Sequence, residues 1–238
     1  MVEQEVVHET KGLAAAAAAD GRVVLVAGAT GLVGREVLAA LLADNSVAKV
    51  HCVGRSAPPL EHPKLLAHAV DFKQLGKLPP VQDVYIALGT TIKVAGSQAA
   101  FKAIDLDAVV NIARACHAQG ASRIGVVSAM GADAKSSVFY NRIKGEMEEA
   151  VSAIGFESTV FVRPSLLAGQ REKLNQAPRL GERIGLVAAS LLNPLIPANY
   201  QAVQVKDVAA ALVKAVKQSK PGITCLLSGA LQGAAHAH

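Results

Sequence analysis

Short runs of valine, leucine and isoleucine alternate along the chain with longer stretches whose apolar residues recur every three or four positions. The first run begins VVLVA at Val23 and is apolar at every position, as expected of a parallel strand buried on both faces. A glycine turn follows, and then a helix over Arg35 to Leu42. Further strands are expected at Val47 to Gly54, Leu65 to Val70, Val81 to Leu88, Arg123 to Val127 and Phe156 to Arg163. Between them, Gln98 to His117 and about Ser137 to Ser152 have helical spacing. From Ser165 to Tyr200 the pattern loosens, with a helix near Ile184 to Leu192. A short strand at Val203 to Val205, a helix from Asp207 and a strand at Ile223 to Leu227 complete the series. Alternating strands and helices of this kind predict an α/β fold, a doubly wound parallel sheet of Rossmann type with a small substrate lobe near its C-terminal end. Residues 1–20, with an alanine run and no large apolar periodicity, read as a flexible tail. Residues 21–238 read as one domain, with the substrate-lobe insertion at about 165–203.

Composition narrows the classes. Hydrophobic residues make up 51% and aromatic ones 3%, so aliphatic side chains must fill the core. The net charge of +5 is scattered, with no stripe of Lys/Arg and interleaved aromatics, which argues against nucleic-acid binding. Three widely spaced cysteines without a CxxC pair fit a reduced compartment, taken as the cytoplasm. The first residues carry Glu3, Glu5 and Glu9 where a signal peptide would be basic and then apolar. No apolar run is long enough to span a membrane. His236 and His238 read as a tail, and no metal site is expected.

The glycine turn carries the first chemistry. Gly28, Gly31 and Gly34 lie between strand and helix, as in a dinucleotide-binding unit. Gly28 permits the sharp turn, Gly31 lets amides approach a pyrophosphate, and Gly34 lets the helix lie close on the strand. The spacing is GxxGxxG, and an ordinary tight turn that binds nothing is the plainer alternative. The second strand ends in Gly54-Arg55-Ser56, without the acid that selects a ribose 2′-hydroxyl. Arg55 there favours a 2′-phosphate, hence NADP over NAD. The third strand ends in Asp71-Phe72, where Asp71 is either near the adenine amino group or a turn residue. The fourth ends at Leu88-Gly89, and Thr90 to Lys93 follows as a loop at the ligand-binding edge.

The second chemistry lies further on. Ser128 ends the fifth strand. Tyr140 and Lys144, four residues apart on a helix, share one face. The Lys144 ammonium is expected to lower the Tyr140 phenol pKa, fitting it to exchange a proton with a carbonyl or alcohol. Arg171 either meets an acidic substrate or forms a surface ion pair.

Taken together, Gly28-Ala29-Thr30-Gly31-Leu32-Val33-Gly34, Ser128, Tyr140, Lys144 and Arg163-Pro164 resemble the short-chain dehydrogenase/reductase superfamily, in its atypical branch. Leu88-Gly89-Thr90-Thr91, the run Val127 to Asp133 and YNRIKGE from Tyr140 look most like the Tat-interactive oxidoreductase group and its small bacterial relatives. The resemblance covers about Arg22 to Val216. It implies that Tyr140 is the catalytic acid/base, Lys144 a ribose ligand that tunes it, and Ser128 the residue orienting the substrate. Thr30, Leu32, Val33, Phe72, Leu88, Gly89, Thr90 and Pro164 join the cofactor set, Pro164 backing the nicotinamide amide. Many relatives carry asparagine in the long fourth helix to complete a proton relay. Asp105 stands near that place here.

The expected activity is NADP-dependent oxidoreduction of a small carbonyl or alcohol. One rival reading is a redox-sensing protein that binds NADP(H) without turnover. Another is a nucleotide-sugar epimerase, for which the stretch after Pro164 is short. A small-molecule substrate is the expected partner; a homodimer or protein partner stays open.

Overall fold

The structure is a computed structural model and describes residues 21–168 and 197–236. The helix expected near Ile184 to Leu192, most of the substrate-lobe insertion, Arg171, His238 and the tail at 1–20 lie outside them.

Seven parallel strands form the main sheet: β1 (Arg22–Ala27), β2 (Val47–Gly54), β3 (Leu65–Ala69), β4 (Asp83–Ile86), β5 (Arg123–Val127), β6 (Ser158–Arg163) and β9 (Gly222–Leu227). Their order is β3-β2-β1-β4-β5-β6-β9, which reverses direction at β1 and opens a crevice beyond its C-terminal end. A parallel pair, β7 (Leu167–Ala168) with β8 (Val203–Gln204), lies apart from it. The described helices are α1 (Leu32–Ala43), α2 (Ile92–Ala95), α3 (Gln98–Lys102), α4 (Val109–Ala118), α5 (Phe139–Ser152), α6 (Val205–Gln218) and α7 (Ser228–Leu231).

Two apolar layers cover the sheet. Val24 and Val26 of β1 join Val37, Leu41, Leu212 and Val216 of α1 and α6. Leu25 and Ala27 point the other way, onto Ile112 of α4 and Met147 and Val151 of α5. Burial on both faces explains why β1 reads as unbroken apolar sequence without alternation. The expected loop at Thr90 to Lys93 instead opens a one-turn helix. Thr91 Oγ1 accepts from Val94 N at 3.2 Å, and Gly96 ends the turn at φ 84°. The single helix expected over Gln98 to His117 is also interrupted: Ala103–Ala108 forms a π-helical turn between α3 and α4.

The strands' N-terminal edge is pinned by one carboxylate. Asp83 is fully buried; its Oδ2 accepts from Arg22 Nε at 2.7 Å, and its Oδ1 lies 2.7 Å from Arg123 Nε. It thereby joins β1, β4 and β5 in register. Asp83→Ala should lower stability by about 3 kcal/mol, the low end for breaking a buried pair, because both guanidiniums keep some access to water. Urea midpoints would check this, with Asp83→Asn falling between the two. A loss under about 1 kcal/mol, typical of surface pairs, would show that the pair does not hold the edge together.

Candidate active site

The site lies along the C-terminal edge of the sheet, where β1 and β4 diverge. Gly28 takes φ 87°, and a Cβ on it would sit 2.6 Å from Ala87 O. Gly34, one turn into α1, faces the same turn; a Cβ there would lie 2.0 Å from Gly28 O. Both glycines therefore serve the close approach of turn, helix and β4. Gly31 precedes α1 in extended conformation with no side-chain cap, which leaves the first-turn amides to the crevice.

Two adjoining cavities fill this edge. The first, about 410 Å³, is lined by Gly28, Thr30, Gly31, Arg55 and Phe72, with Leu88, Gly89 and Thr90. The second, about 560 Å³, shares Gly31, Leu88, Gly89 and Thr90 and continues past Leu32 and Val33 to Ser128, Tyr140, Lys144 and Pro164. Every expected site residue except two thus lines one continuous cleft. Gly34 works beneath it. Asp71 is exposed, outside the lining of either cavity, and its Oδ1 accepts from Lys73 N at 2.9 Å, which is the turn-residue reading.

Ser128 and Tyr140 face one chamber because the loop after β5 lies flat on α5. A Cβ on Gly145 would lie 2.0 Å from Ala134 N, and Asp133 N donates to Asn141 O at 3.1 Å. Ser128 is 4% exposed, and its Oγ has no hydrogen-bond partner among the described residues. A buried hydroxyl without a partner, lining a cavity, is a position for a ligand atom.

Lys144 and Asp105 are both buried, with Nζ 2.7 Å from Oδ1. Asp105 Oδ2 also accepts from Thr90 N at 3.0 Å. The π-helical turn brings Asp105 to this place, and such turns often mark functional sites. The pairing corrects one expectation. The Lys144 charge is taken up by Asp105, and the Tyr140 phenol is pushed up to about 12, by burial first and then by the Asp105 carboxylate. Tyr140 is therefore a held proton, not a ready tyrosinate. Its ring also packs on Phe101, with centroids 5.5 Å apart.

Sequence reasoning missed several apolar positions lining the same chamber, among them Val94, Met130, Leu166 and Leu167. Thr91 capping and the stop at Gly96 were the available signal for Val94; single exposed apolar residues give none. Among the described residues, no group of three or more His, Cys, Asp or Glu could hold a metal, and no helix is long and apolar enough to cross a membrane.

A glycine turn, uncapped helix amides and a cleft at the strand reversal define a nucleotide-binding protein of the Rossmann type. The NAD(P)H-binding family matches residues 28–219, and the chain belongs to it; its cofactor is a nicotinamide dinucleotide. Among curated proteins it is similar to the mitochondrial protein fmp52 of Emericella nidulans, with 36% identity over 164 residues, 65% of this chain and 70% of the relative. Among solved structures, a short-chain dehydrogenase family protein from Francisella tularensis has TM-score 0.65 at 13% identity, covering 88% of this chain and 98% of that one. MoeE5 in complex with UDP-glucose and NAD has TM-score 0.63 at 18% identity, covering 85% and 74%. These bear out the short-chain dehydrogenase/reductase fold and do not reach the Tat-interactive group. They overturn the cytoplasmic expectation, because fmp52 relatives from several fungi are named mitochondrial. Free cysteines report a reducing environment, which is not unique to the cytoplasm.

Asp105→Asn tests the electrostatics directly. At pH 10, where an ordinary tyrosine is half ionised, Tyr140 should remain a phenol in the parent protein. In Asp105→Asn the opposing carboxylate is gone and Lys144 is unpaired, so the Tyr140 midpoint should fall by about one unit or more. Tyrosinate absorbance, read as the difference from Tyr140→Phe, measures it. An unchanged midpoint would show that Asp105 does not act on Tyr140.

Proposed function

We propose that the protein is an NADP(H)-dependent oxidoreductase acting on a small carbonyl or alcohol, with Tyr140 as the proton donor. The observation that carries this is the convergence of Ser128 Oγ, Tyr140 and the Lys144–Asp105 pair on one cleft whose other end is the glycine turn. The residues present fit the dinucleotide. The uncapped start of α1 would hold the pyrophosphate, Gly89 would let the backbone pass the ribose beside Lys144, and Pro164 would back the nicotinamide. Bound there, the nicotinamide supplies two-electron hydride chemistry.

The chain's own residues do the rest. Ser128 Oγ donates to the substrate oxygen and fixes the carbonyl. Tyr140, protonated through neutral pH, gives its proton to that oxygen as negative charge grows there. Asp105 keeps Lys144 in place beneath Gly89. Arg55, exposed at the end of β2, makes no ion pair among the described residues and is available to a 2′-phosphate. The relatives' names support a mitochondrial location for this chain also. The nucleotide-sugar neighbours match in fold alone and favour no second reading.

Cofactor selection is tested by fluorescence titration. Arg55→Ala should weaken NADPH about tenfold or more, the effect of one charge-assisted pair, and leave NADH nearly unchanged. Equal losses would remove Arg55 from 2′-phosphate recognition.

Turnover separates enzyme from sensor. Tyr140→Phe keeps the ring on Phe101 and removes only the hydroxyl, and kcat should drop roughly 10²- to 10⁴-fold with cofactor affinity little changed. Lys144→Ala should lower both. NADPH oxidation with aldehydes, ketones and quinones provides the assay. Wild-type activity that survives Tyr140→Phe would refute the donor assignment, and tight NADPH binding with no turnover of any substrate would favour the sensor.

A further inference from the structure

The walls of the second cavity point to one substrate chemistry. Beyond Gly89 and Thr90 its lining includes the apolar Val94, Val127, Ala129, Met130, Leu166 and Leu167; Thr91 also lines it, and its Oγ1 accepts from Val94 N at 3.2 Å. The charged groups lining it are Asp105 and Lys144, and these neutralise each other at 2.7 Å. Ser165 Oγ, also at this edge, already donates to Gln201 O at 2.6 Å. What remains polar and unengaged is a single end, the Ser128 hydroxyl without a partner, with the Tyr140 phenol lining the same chamber.

The apolar character continues to the mouth. Val94 is 80% exposed and Leu166 65% exposed, though both line the cavity. Large apolar side chains at the rim of a cleft are surface that a ligand covers, not surface the fold needs. An anionic substrate would leave water for a chamber where, among the described residues, the one cation is already paired. Burying a charge without a partner is strongly unfavourable.

Resting on the oxidoreductase reading of this same site, we infer that the substrate is an uncharged carbonyl compound on a hydrocarbon chain or ring. Its oxygen sits at Ser128 and Tyr140, and its apolar body runs along Met130 and Leu167 to Val94 and Leu166. Anionic carbonyl compounds and nucleotide sugars, whose diphosphate needs cations, find no unpaired cation among the described residues of the chamber. In the forward direction the carbonyl carbon gains a hydride from NADPH, its oxygen gains the Tyr140 proton, and the products are the alcohol and NADP⁺. Tyr140 recovers its proton from solvent.

The test compares the whole protein, loaded with NADPH, on straight-chain aldehydes from propanal to decanal and on semialdehydes of matched length ending in a carboxylate. Each methylene that reaches the apolar wall should raise kcat/KM about fourfold, the equivalent of ~0.8 kcal/mol per buried CH₂, until the wall is covered. The carboxylate series should run at least tenfold lower. Val94→Asp and Leu166→Asp, both on exposed positions the fold tolerates, should flatten the dependence on length. A second measurement does not need turnover: calorimetry of primary alkyl amides on the NADP⁺-loaded protein should show affinity rising with chain length. Equal or better kcat/KM for the carboxylate series, or tight calorimetric binding of UDP-glucose, would overturn the inference. Amide affinity that rises with length, without turnover of any aldehyde, would refute the proposed reaction and uphold the apolar chamber. No dependence on length in either measurement would refute the chamber itself.

Discussion

The contact between Lys144 Nζ and Asp105 Oδ1 sets the constraint under which the site is assembled. Both groups are almost wholly removed from water, which costs several kcal/mol per ion, and only a short, well-aligned contact offsets that. Asp105 has a second oxygen to satisfy, and Thr90 N satisfies it. The end of β4, the π-helical turn and α5 must therefore meet at one point. Gly89, Thr90 and Tyr140, the residues that define the middle of the cleft, adjoin it in sequence or on the same helix face. An apolar pair of similar volume would hold those elements together as well or better. A charge pair kept at the wall of a cleft is thus explained better by what it does to its neighbours than by stability.

Its chief neighbour is Tyr140. In sequence, Lys144 stands one turn from the phenol and looks like the group that ionises it. In space, Asp105 accepts that charge and its own carboxylate raises the phenol further. The two readings differ because helical spacing reports which residues share a face and says nothing of what faces them from another element. The same limit hid the π-helical turn: an extra residue in one turn leaves the apolar repeat of Gln98 to Ala118 nearly intact.

What was legible followed from strong local constraints. β2 and β5 have the expected bounds, each built on a run buried on both faces, Val50 to Val53 in β2 and Ile124 to Val126 in β5. The glycine turn was legible because a Cβ at Gly28 or Gly34 would collide with backbone, so no other residue serves. β3 begins at its expected place although all of its residues are half-buried or exposed and none is β-branched; its parallel pairing with β2 holds it as a strand. Asp71 left two readings open because an Asx turn and an adenine contact ask for the same side chain. Gly145 was not singled out at all: its requirement comes from Ala134 lying across α5, a contact that no spacing within the helix encodes.

Along the cleft the electrostatics change in one direction. At one end the amides of α1 and the Arg55 guanidinium offer positive charge with access to water. At the other, the Lys144–Asp105 pair carries no net charge, its carboxylate acts on the Tyr140 phenol, and the dipoles of Ser128 and Tyr140 act in a low-dielectric surrounding. A phenol pushed up to about 12 keeps its proton at neutral pH, so that the proton is there to be donated. Its proton becomes transferable only when negative charge grows on an oxygen in front of it, as on a carbonyl being reduced. The same burial that makes the chamber hospitable to an apolar body therefore also keeps the proton on Tyr140 until the reaction calls for it.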